Sequence, residues 1–217
     1  MKIAVLFPGQ GAQYVGMGKE LYENSKECKE VFDRAANVVA WDIKEVCFED
    51  KENKMNQTRY TQAALFTTNV AIYEAIKNKI QVDGILGFSL GEYSAICASG
   101  AHTFEETLKL VEKRASFMEE CAKKNPGGMS AVLGLSADKI YQACEEVTSK
   151  SSEEESNDQD NVYVAVANDN CDGQVTISGT TKGLDYAATL LKEAGARRVL
   201  PIKVSGGFHS ELMKEAA

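Results

Sequence analysis

The sequence predicts an α/β fold, and three observations indicate it. Residues 3–7 form a continuous apolar run that leads into Gly9-Gln10-Gly11, as a buried parallel strand leads into a loop and a helix. Helical patterns follow over 27–39 and 61–77, and the short run 84–87 has the character of a second strand. Strands that alternate with helices in this way are typical of a parallel sheet covered by helices.

Two helices are expected directly after the second strand. Residues 90–98 have a helical pattern that stops at Gly100, a residue suited to the left-handed conformation that ends many helices. Thr103 and Glu106 have the spacing of a capping box, which predicts the start of a long helix ending near 125–128. The buried stripe of this long helix should consist of Phe104, Leu108, Val111, Ala115 and Met118.

Beyond residue 128 the pattern becomes strand, helix, strand, strand, helix, strand. The expected ranges are 129–135, 136–148, 162–168, 174–178, 181–194 and 198–204. This order predicts a ferredoxin-like (βαββαβ) small subdomain over 127–198. It would be inserted into a large, hydrolase-like α/β subdomain with a parallel sheet, made of residues 1–126 and 199–217. The segment 149–161 is rich in Ser, Glu and Asp, which favours a solvated loop.

Composition excludes several classes of function. The chain has 217 residues and a formal net charge of -8, which argues against a nucleic-acid partner because phosphate neutralisation needs clustered Lys and Arg. The apolar run at the N-terminus is too short for a signal sequence or a membrane span. The six cysteines are scattered without a Cys-x-x-Cys pair, so we expect reduced thiols, no metal site and a cytoplasmic protein.

Ser89 is the candidate nucleophile. It lies in Gly87-Phe88-Ser89-Leu90-Gly91, a Gly-x-Ser-x-Gly turn between a predicted strand and a predicted helix. Such a turn lifts the serine hydroxyl clear of the sheet, and the following helix directs its first N–H groups towards a developing oxyanion. Because Gly and Ser also form ordinary turns, the strand and helix on either side contribute much of the signal.

A serine nucleophile needs a general base, and the chain has two histidines. His102 precedes the predicted cap at Thr103, so it is interpreted as a helix-entry residue. His209 follows a predicted strand in a Gly-rich loop, where catalytic groups often lie, and is therefore the better candidate. The alternative is that His209 is a turn histidine that bonds only to backbone.

Arg114 is the candidate anion-binding residue. It falls on the flank of the long predicted helix, between Leu110 and Met118, where a fully solvated charge is less expected. Its planar, permanently charged guanidinium suits a carboxylate ligand. An arginine that extends along the edge of an apolar face is an equally good interpretation of this position alone.

The chain resembles malonyl-CoA:acyl carrier protein transacylases and the acyltransferase domains of polyketide synthases over nearly its whole length. Several ordered motifs carry the resemblance: Phe-Pro-Gly-Gln-Gly-Ala-Gln at 7–13, Gly-Phe-Ser-Leu-Gly-Glu-Tyr at 87–93, Arg114 with Met118, Asn168 with Gly173-Gln174-Val175, and Phe208-His209-Ser210. Because these motifs occur in the order of the family, the resemblance is specific.

The resemblance implies a ping-pong transfer of malonyl from malonyl-CoA to the phosphopantetheine thiol of acyl carrier protein. Ser89 would carry the acyl group and His209 would take its proton. The backbone N–H groups of Gln10 and Leu90 would form the oxyanion hole, and Arg114 would bind the malonyl carboxylate. No cofactor is expected beyond these substrates, and we expect a monomeric enzyme of fatty-acid synthesis.

Two departures from the family pattern stand out. Phe88 occupies the position before the nucleophile, where the family often has histidine, and an apolar side chain there would reshape the acyl pocket. Family members also continue well past the catalytic histidine, whereas this sequence stops at Ala217. The resemblance therefore implies a C-terminal segment absent from this sequence, without which one side of the main sheet would lie bare.

Two other functions remain open at this point. A serine thioesterase or esterase would use the same turn with an acidic residue between Ser89 and His209 in chain order, and acidic residues are abundant there. Arg114 and the Gln10 loop favour transfer over hydrolysis. A non-catalytic remnant that binds carrier protein is the third possibility.

Overall fold

The computed structural model describes residues 2–153 and 162–217, with side chains described outside 150–153. The described chain forms a mixed α/β fold with two compact units, Met1–Ser116 and Phe117–Ala217, called unit 1 and unit 2 below. None of the described helices combines the length and the apolar character needed to cross a membrane.

The described residues of unit 1 form two strands and six helices, the last of which, α6, extends beyond Ser116. In chain order they are β1 (Ala4–Phe7), α1 (Lys19–Asn24), α2 (Lys26–Ala36), α3 (Ile43–Phe48), α4 (Thr58–Ile76), β2 (Gly84–Gly87), α5 (Gly91–Ala98) and α6 (Phe104–Lys124). The short helices α1 and α3 were not predicted, because each has only six residues and too few turns for a clear apolar period.

The two strands of unit 1 pair in parallel, with Leu6 opposite Leu86. Phe7 is buried, and its ring packs edge-on against Tyr73 with centroids 5.8 Å apart. Leu6 is 71% exposed, so the prediction of a buried first strand is wrong for this residue, and Leu86, opposite it on β2, is 56% exposed. The physical reason is strand alternation: within unit 1, α5 packs against both strands, and successive side chains project to opposite faces of the sheet.

The core of unit 1 lies between α2, α4 and the start of α6. Phe32 and Phe66 are among its fully buried side chains, and the ring of Phe66 stacks on Phe104 at 5.4 Å. The capping box at the start of α6 is confirmed, because Thr103 Oγ1 accepts a bond from the backbone N–H of Glu106 while Thr103 N–H donates to the Glu106 carboxylate. The predicted stripe of α6 is buried throughout.

Unit 2 has the predicted order of elements. They are β3 (Gly128–Leu133), α7 (Ala137–Glu153), β4 (Val164–Cys171), β5 (Gln174–Gly179), α8 (Thr181–Glu193), β6 (Arg198–Ile202) and a 3₁₀ helix (Glu211–Ala216). The four strands form an antiparallel sheet in the order β4-β5-β3-β6. Both helices bury their apolar faces against this sheet around Val132, Val175 and Ile177.

The first helix of unit 2 is longer than predicted. The prediction ended it at residue 148, but α7 continues to Glu153. The hydroxyl of Ser149 donates to the carbonyl of Glu145, four residues earlier, which is compatible with a continued helix. The loop prediction for 149–161 is therefore wrong at its start, and residues 154–161 lie outside the described residues.

Candidate active site

Ser89 lies at the sharp turn between β2 and α5. Its φ angle is 51°, in the left-handed region that non-glycine residues seldom adopt. The backbone N–H of Phe88 donates to the carbonyl of Phe7 on β1, and the N–H of Gly91 donates to the carbonyl of Phe88. Strained residues of this kind are concentrated at functional sites, so the backbone itself marks Ser89.

The two glycines of the turn are required by close packing. A Cβ added to Gly87 would lie 2.1 Å from the carbonyl carbon of Gly91. A Cβ added to Gly91 would lie 2.1 Å from the carbonyl oxygen of Phe7. Since real Cβ atoms do not approach other atoms so closely, only glycine lets α5 begin this near to β1 and β2.

Arg114 lies beside Ser89 in unit 1. Its Nη2 donates to Ser89 Oγ at 3.1 Å, and its Nη1 donates to Gln62 Oε1 at 2.6 Å. The structure thus brings together two of the candidate site residues that are 25 positions apart in the chain. The guanidinium points at the candidate nucleophile rather than along the helix surface.

The charge of Arg114 is not paired in a salt bridge with any carboxylate among the side chains that the structure describes. Burial lowers the pKa of the guanidinium, while nearby Tyr93 and Glu92 act in the opposite direction. Arginine still keeps its proton at neutral pH. The Tyr93 ring lies under the guanidinium, 5.7 Å from its central carbon.

Leu90 lies in the turn itself, and Gln10 follows Gly9, whose added Cβ would lie 2.6 Å from the carbonyl oxygen of Phe88. Leu90 is fully buried and precedes the first residue of α5 with helical backbone angles. The side chain of Gln10 donates from Nε2 to Thr58 Oγ1 at 3.3 Å, which ties the Gln10 loop to the start of α4. Their roles as oxyanion donors stay predictions.

Sequence reasoning missed three polar residues of α4 that contact this region. Gln62 binds Arg114, Thr58 accepts from Gln10, and Asn69 Nδ2 donates to the Pro8 carbonyl and to Ser94 Oγ. All three side chains belong to buried residues. A signal was present, because these polar residues interrupt an otherwise apolar helical pattern, and buried polar groups need partners.

His209 lies in unit 2, in the loop between β6 and the 3₁₀ helix. It is exposed and has a φ angle of 58°, so it is one of four non-glycine residues with a positive φ in the described part of the chain, together with Asp50, Asn53 and Ser89. The hydroxyl of Ser210 donates to the Gly207 carbonyl at 2.6 Å, and Phe208 is buried. These contacts fix the local conformation of the loop. The role of His209 as a base stays a prediction.

The other features named in the sequence have clear positions. His102 is exposed in the bend directly before the Thr103 cap. Phe88 is 50% exposed beside Ser89, so its ring is available to contact a ligand. No group of three or more His, Cys, Asp or Glu side chains that could hold a metal was found in the described part of the chain.

Together, Ser89 and Arg114 can do specific chemistry. A serine hydroxyl in a strained turn is suited to attack on an acyl carbon, since the hydroxyl is presented above a helix N-terminus. A guanidinium without a carboxylate partner among the described residues attracts an anionic group to the same place. The arrangement therefore suits an acyl group that itself carries a negative charge.

Comparison with known proteins identifies the family that the chain matches. Residues 5–217 match the family described as acyl transferase domain. The malonyl CoA-acyl carrier protein transacylase of Bacillus subtilis (strain 168) is 45% identical over 217 residues, which are 100% of this chain and 65% of that protein. The corresponding protein of Staphylococcus aureus (strain MRSA252) is 41% identical over 213 residues, 98% of this chain and 66% of that protein.

Solved structures give the same result. A crystal structure of MCAT from Streptococcus pneumoniae aligns with a TM-score of 0.87 and 43% identity, covering 98% of this chain and 66% of that one. A type II PKS acyl carrier protein in complex with its malonyl-transacylase aligns with a TM-score of 0.90 and 33% identity, over 100% of this chain and 67% of the other. The chain thus spans about 65% of the length of the B. subtilis relative.

Proposed function

This chain belongs to the acyl transferase domain family, and we propose that it transfers malonyl from malonyl-CoA to the phosphopantetheine thiol of acyl carrier protein through an ester on Ser89. The observation that carries the proposal is the 3.1 Å hydrogen bond from Arg114 Nη2 to Ser89 Oγ. A hydrolase of simple esters has no need for an arginine beside its nucleophile, whereas a malonyl group presents a carboxylate close to the reacting carbonyl.

In the first half-reaction, Ser89 Oγ attacks the thioester carbonyl of malonyl-CoA. His209 takes the hydroxyl proton, and the N–H groups of Gln10 and Leu90 stabilise the tetrahedral oxyanion. The C–S bond then breaks, and the departing CoA thiolate receives the proton from His209. Arg114 holds the malonyl carboxylate by charge-assisted hydrogen bonds while the ester forms.

The second half-reaction runs in the opposite sense. The phosphopantetheine thiol gives its proton to His209 and attacks the ester carbonyl, and the collapse of the intermediate breaks the bond to Ser89 Oγ. The proton returns to Ser89, which restores the starting enzyme. No cofactor takes part in either step.

The names of the relatives support both substrates. The B. subtilis and S. aureus relatives are malonyl CoA-acyl carrier protein transacylases, and one similar structure contains a malonyl-transacylase bound to an acyl carrier protein. We extend these substrates to this chain because Ser89, Arg114 and His209 lie in the motifs that resemble the family and within the matched residues 5–217. A cytoplasmic monomer that acts in fatty-acid synthesis is part of the same proposal.

The finer description of the fold is also a proposal. The order β4-β5-β3-β6 with two helices supports a ferredoxin-like small subdomain, and the parallel pairing of β1 with β2 before Ser89 supports a hydrolase-like large one. A small subdomain of residues 127–198, inserted into a large one of residues 1–126 and 199–217, is part of the same proposal. The compact units found here divide the chain after Ser116 instead.

The proposal predicts a covalent label on Ser89. After incubation with malonyl-CoA labelled in the malonyl group, the wild-type protein should carry one label that mass spectrometry places at Ser89. Ser89→Ala should carry none, whereas the control Ser99→Ala, at the exposed end of α5, should be labelled like the wild type.

The fate of the label separates the alternatives. Transfer to holo acyl carrier protein supports the transacylase, and release as malonate in the presence of that acceptor indicates a hydrolase. A folded sample that binds carrier protein without any label would identify a non-catalytic binding protein and reject both enzymes.

A further inference from the structure

One face of α4 carries buried polar side chains that reach different parts of the candidate site. Gln62 and Asn69 follow Thr58 by four and eleven positions. At about 100° per residue, the three side chains lie within about 40° of one another around the helix axis. They are 2%, 0% and 6% exposed. A helix that buries three polar residues on one face needs partners for them there.

Each of these residues has a separate partner. Thr58 receives a bond from Gln10, in the loop that would supply an oxyanion donor. Asn69 binds the Pro8 carbonyl of the same loop and Ser94 of α5. Gln62 accepts from Nη1 of Arg114 at 2.6 Å, the shortest of these contacts. The face therefore connects α4 to the Gln10 loop, to α5 and to the arginine.

We propose that Gln62 is a positioning residue that sets the preference of the site for acyl groups with a carboxylate. It acts through Arg114 and does not need to touch the substrate. Its carboxamide oxygen fixes one end of the guanidinium, so that the other end, Nη2, is held at Ser89 Oγ. This inference rests on the proposed function, because it presupposes that Arg114 binds the malonyl carboxylate.

The chemistry of the carboxamide explains why glutamine suits this position. A partly buried guanidinium such as that of Arg114 needs acceptors for its donors, and a glutamate would provide one together with a negative charge. That charge would neutralise Arg114 and compete with the carboxylate of the acyl group. Glutamine satisfies the same donor without charge, so the attraction for an anionic acyl group is preserved.

The test is a double-mutant cycle on the labelling of Ser89. The wild type, Gln62→Leu, Arg114→Ala and the combined variant are incubated with malonyl-CoA at increasing concentrations, and the rate of ester formation is measured by rapid quench. Gln62→Leu should raise the malonyl-CoA concentration for half-maximal rate about ten-fold, which corresponds to the loss of one hydrogen bond to a charged group. The maximal rate should change less.

The combined variant distinguishes positioning from general structure. If Gln62 acts through Arg114, adding Gln62→Leu to Arg114→Ala should change malonyl labelling by less than about two-fold, because coupled residues are not additive. A further ten-fold loss in the combined variant would overturn the inference. Acetyl-CoA serves as a second substrate, whose labelling should be affected by Gln62→Leu less than that of malonyl-CoA.

Two more variants distinguish a specific role of Gln62 from a general loss of folding. Thr67→Val changes a fully buried residue of the same helix and should leave both substrates unaffected. Gln62→Glu keeps an acceptor for Arg114 but adds the charge, so it should also weaken malonyl labelling while acetyl labelling is maintained. Wild-type malonyl labelling by Gln62→Glu would contradict the inference even if Gln62→Leu did not fold.

The failures of the two proposals are distinguishable. If the wild type acquires no label on Ser89, the proposed function is wrong. If the wild type is labelled and Gln62→Leu matches it with both substrates, only the positioning role of Gln62 is rejected.

Discussion

Helices α4 and α8 show two different ways of burying a helix. In α8 the buried residues are Gly183, Ala187 and Leu191, which form one stripe at helical spacing, and the other faces are largely exposed. In α4 most residues are buried, and several of them are polar: Thr58, Thr61, Gln62, Thr67, Thr68 and Asn69. One helix is stabilised by an apolar stripe and the other also needs specific hydrogen bonds.

The difference corresponds to what each helix does in its unit. In unit 2, α8 covers a sheet, and area buried from water is sufficient for that purpose. In unit 1, α4 binds Arg114 and the Gln10 loop, which requires donors and acceptors at fixed positions. Departures from simple amphipathic patterning therefore mark the helix that supports the candidate site.

Among substitutions in these two helices, Leu191→Ala in α8 should cause the largest loss in the free energy of unfolding. Leu191 is fully buried in the apolar core of unit 2, so its truncation leaves a cavity and should cost about 3 kcal/mol in the free energy of unfolding. Tyr186→Ala on the same helix is the control, because Tyr186 is 58% exposed and should cost less than about 1 kcal/mol. Urea unfolding measures both, and equal losses would contradict the single-stripe description.

Substitution of two threonines of α4 by valine should change the free energy of unfolding by smaller amounts. Thr61 Oγ1 lies 2.6 Å from the carbonyl oxygen of Met55 and 2.9 Å from that of Gln57, and its single proton is donated to the Met55 carbonyl, the nearer of the two. Thr67 Oγ1 is buried with no hydrogen-bond partner among the residues that the structure describes. Thr61→Val should therefore destabilise the protein by about 1–2 kcal/mol, since it leaves a buried carbonyl unsatisfied.

Thr67→Val should have the opposite sign. The methyl group replaces an unpaired hydroxyl in an apolar setting, so the free energy of unfolding should rise by roughly 1 kcal/mol. The two variants make the same chemical change on the same helix, and thermal and urea unfolding compare them directly. If Thr61→Val and Thr67→Val destabilise the protein equally, the hydrogen bonding of the Thr61 hydroxyl is not what stabilises the protein at this position.

The sequence predicts the elements of unit 2 well because they follow regular periods. The order of strands and helices is confirmed, and one face of α7 at helical spacing is buried: Ile140, Ala143, Cys144 and Val147. The end of α7 was missed because its last residues are polar in the sequence and give no apolar period. The spacing of apolar residues indicates which face of a helix or strand is buried, and it gives no indication for a segment without apolar residues.

Unit 1 was predicted less completely, for physical reasons. The turn at Ser89 and the capping box at Thr103 follow local rules and were predicted. The bond between Gln62 and Arg114 joins residues 52 positions apart, and no local pattern indicates such a pairing. The exposure of Leu6 depends on what covers each face of the sheet, which strand composition alone does not reveal.

The smallest change in the free energy of unfolding is expected at Glu112 of α6, a half-buried acid in unit 1. Burial raises the pKa of its carboxyl above the ordinary value of 4.5, and the weaker opposing effect is a hydrogen bond from Trp41 Nε1 at 3.4 Å. Because the folded state holds the proton more tightly, this group favours folding below pH 4.5 and opposes it once pH exceeds its raised pKa.

Glu112→Gln should therefore raise the free energy of unfolding at pH 7 by roughly a few tenths of a kcal/mol, because solvent screens a partly exposed group. The carboxamide oxygen still accepts from Trp41, so the aromatic contact between Trp41 and Tyr60, with ring centroids 5.0 Å apart, should persist. The difference between variant and wild type should fall towards zero as the pH drops below 4.5. Urea unfolding across this pH range tests the sign, and a gain that grows towards low pH would show that charge at Glu112 stabilises unit 1.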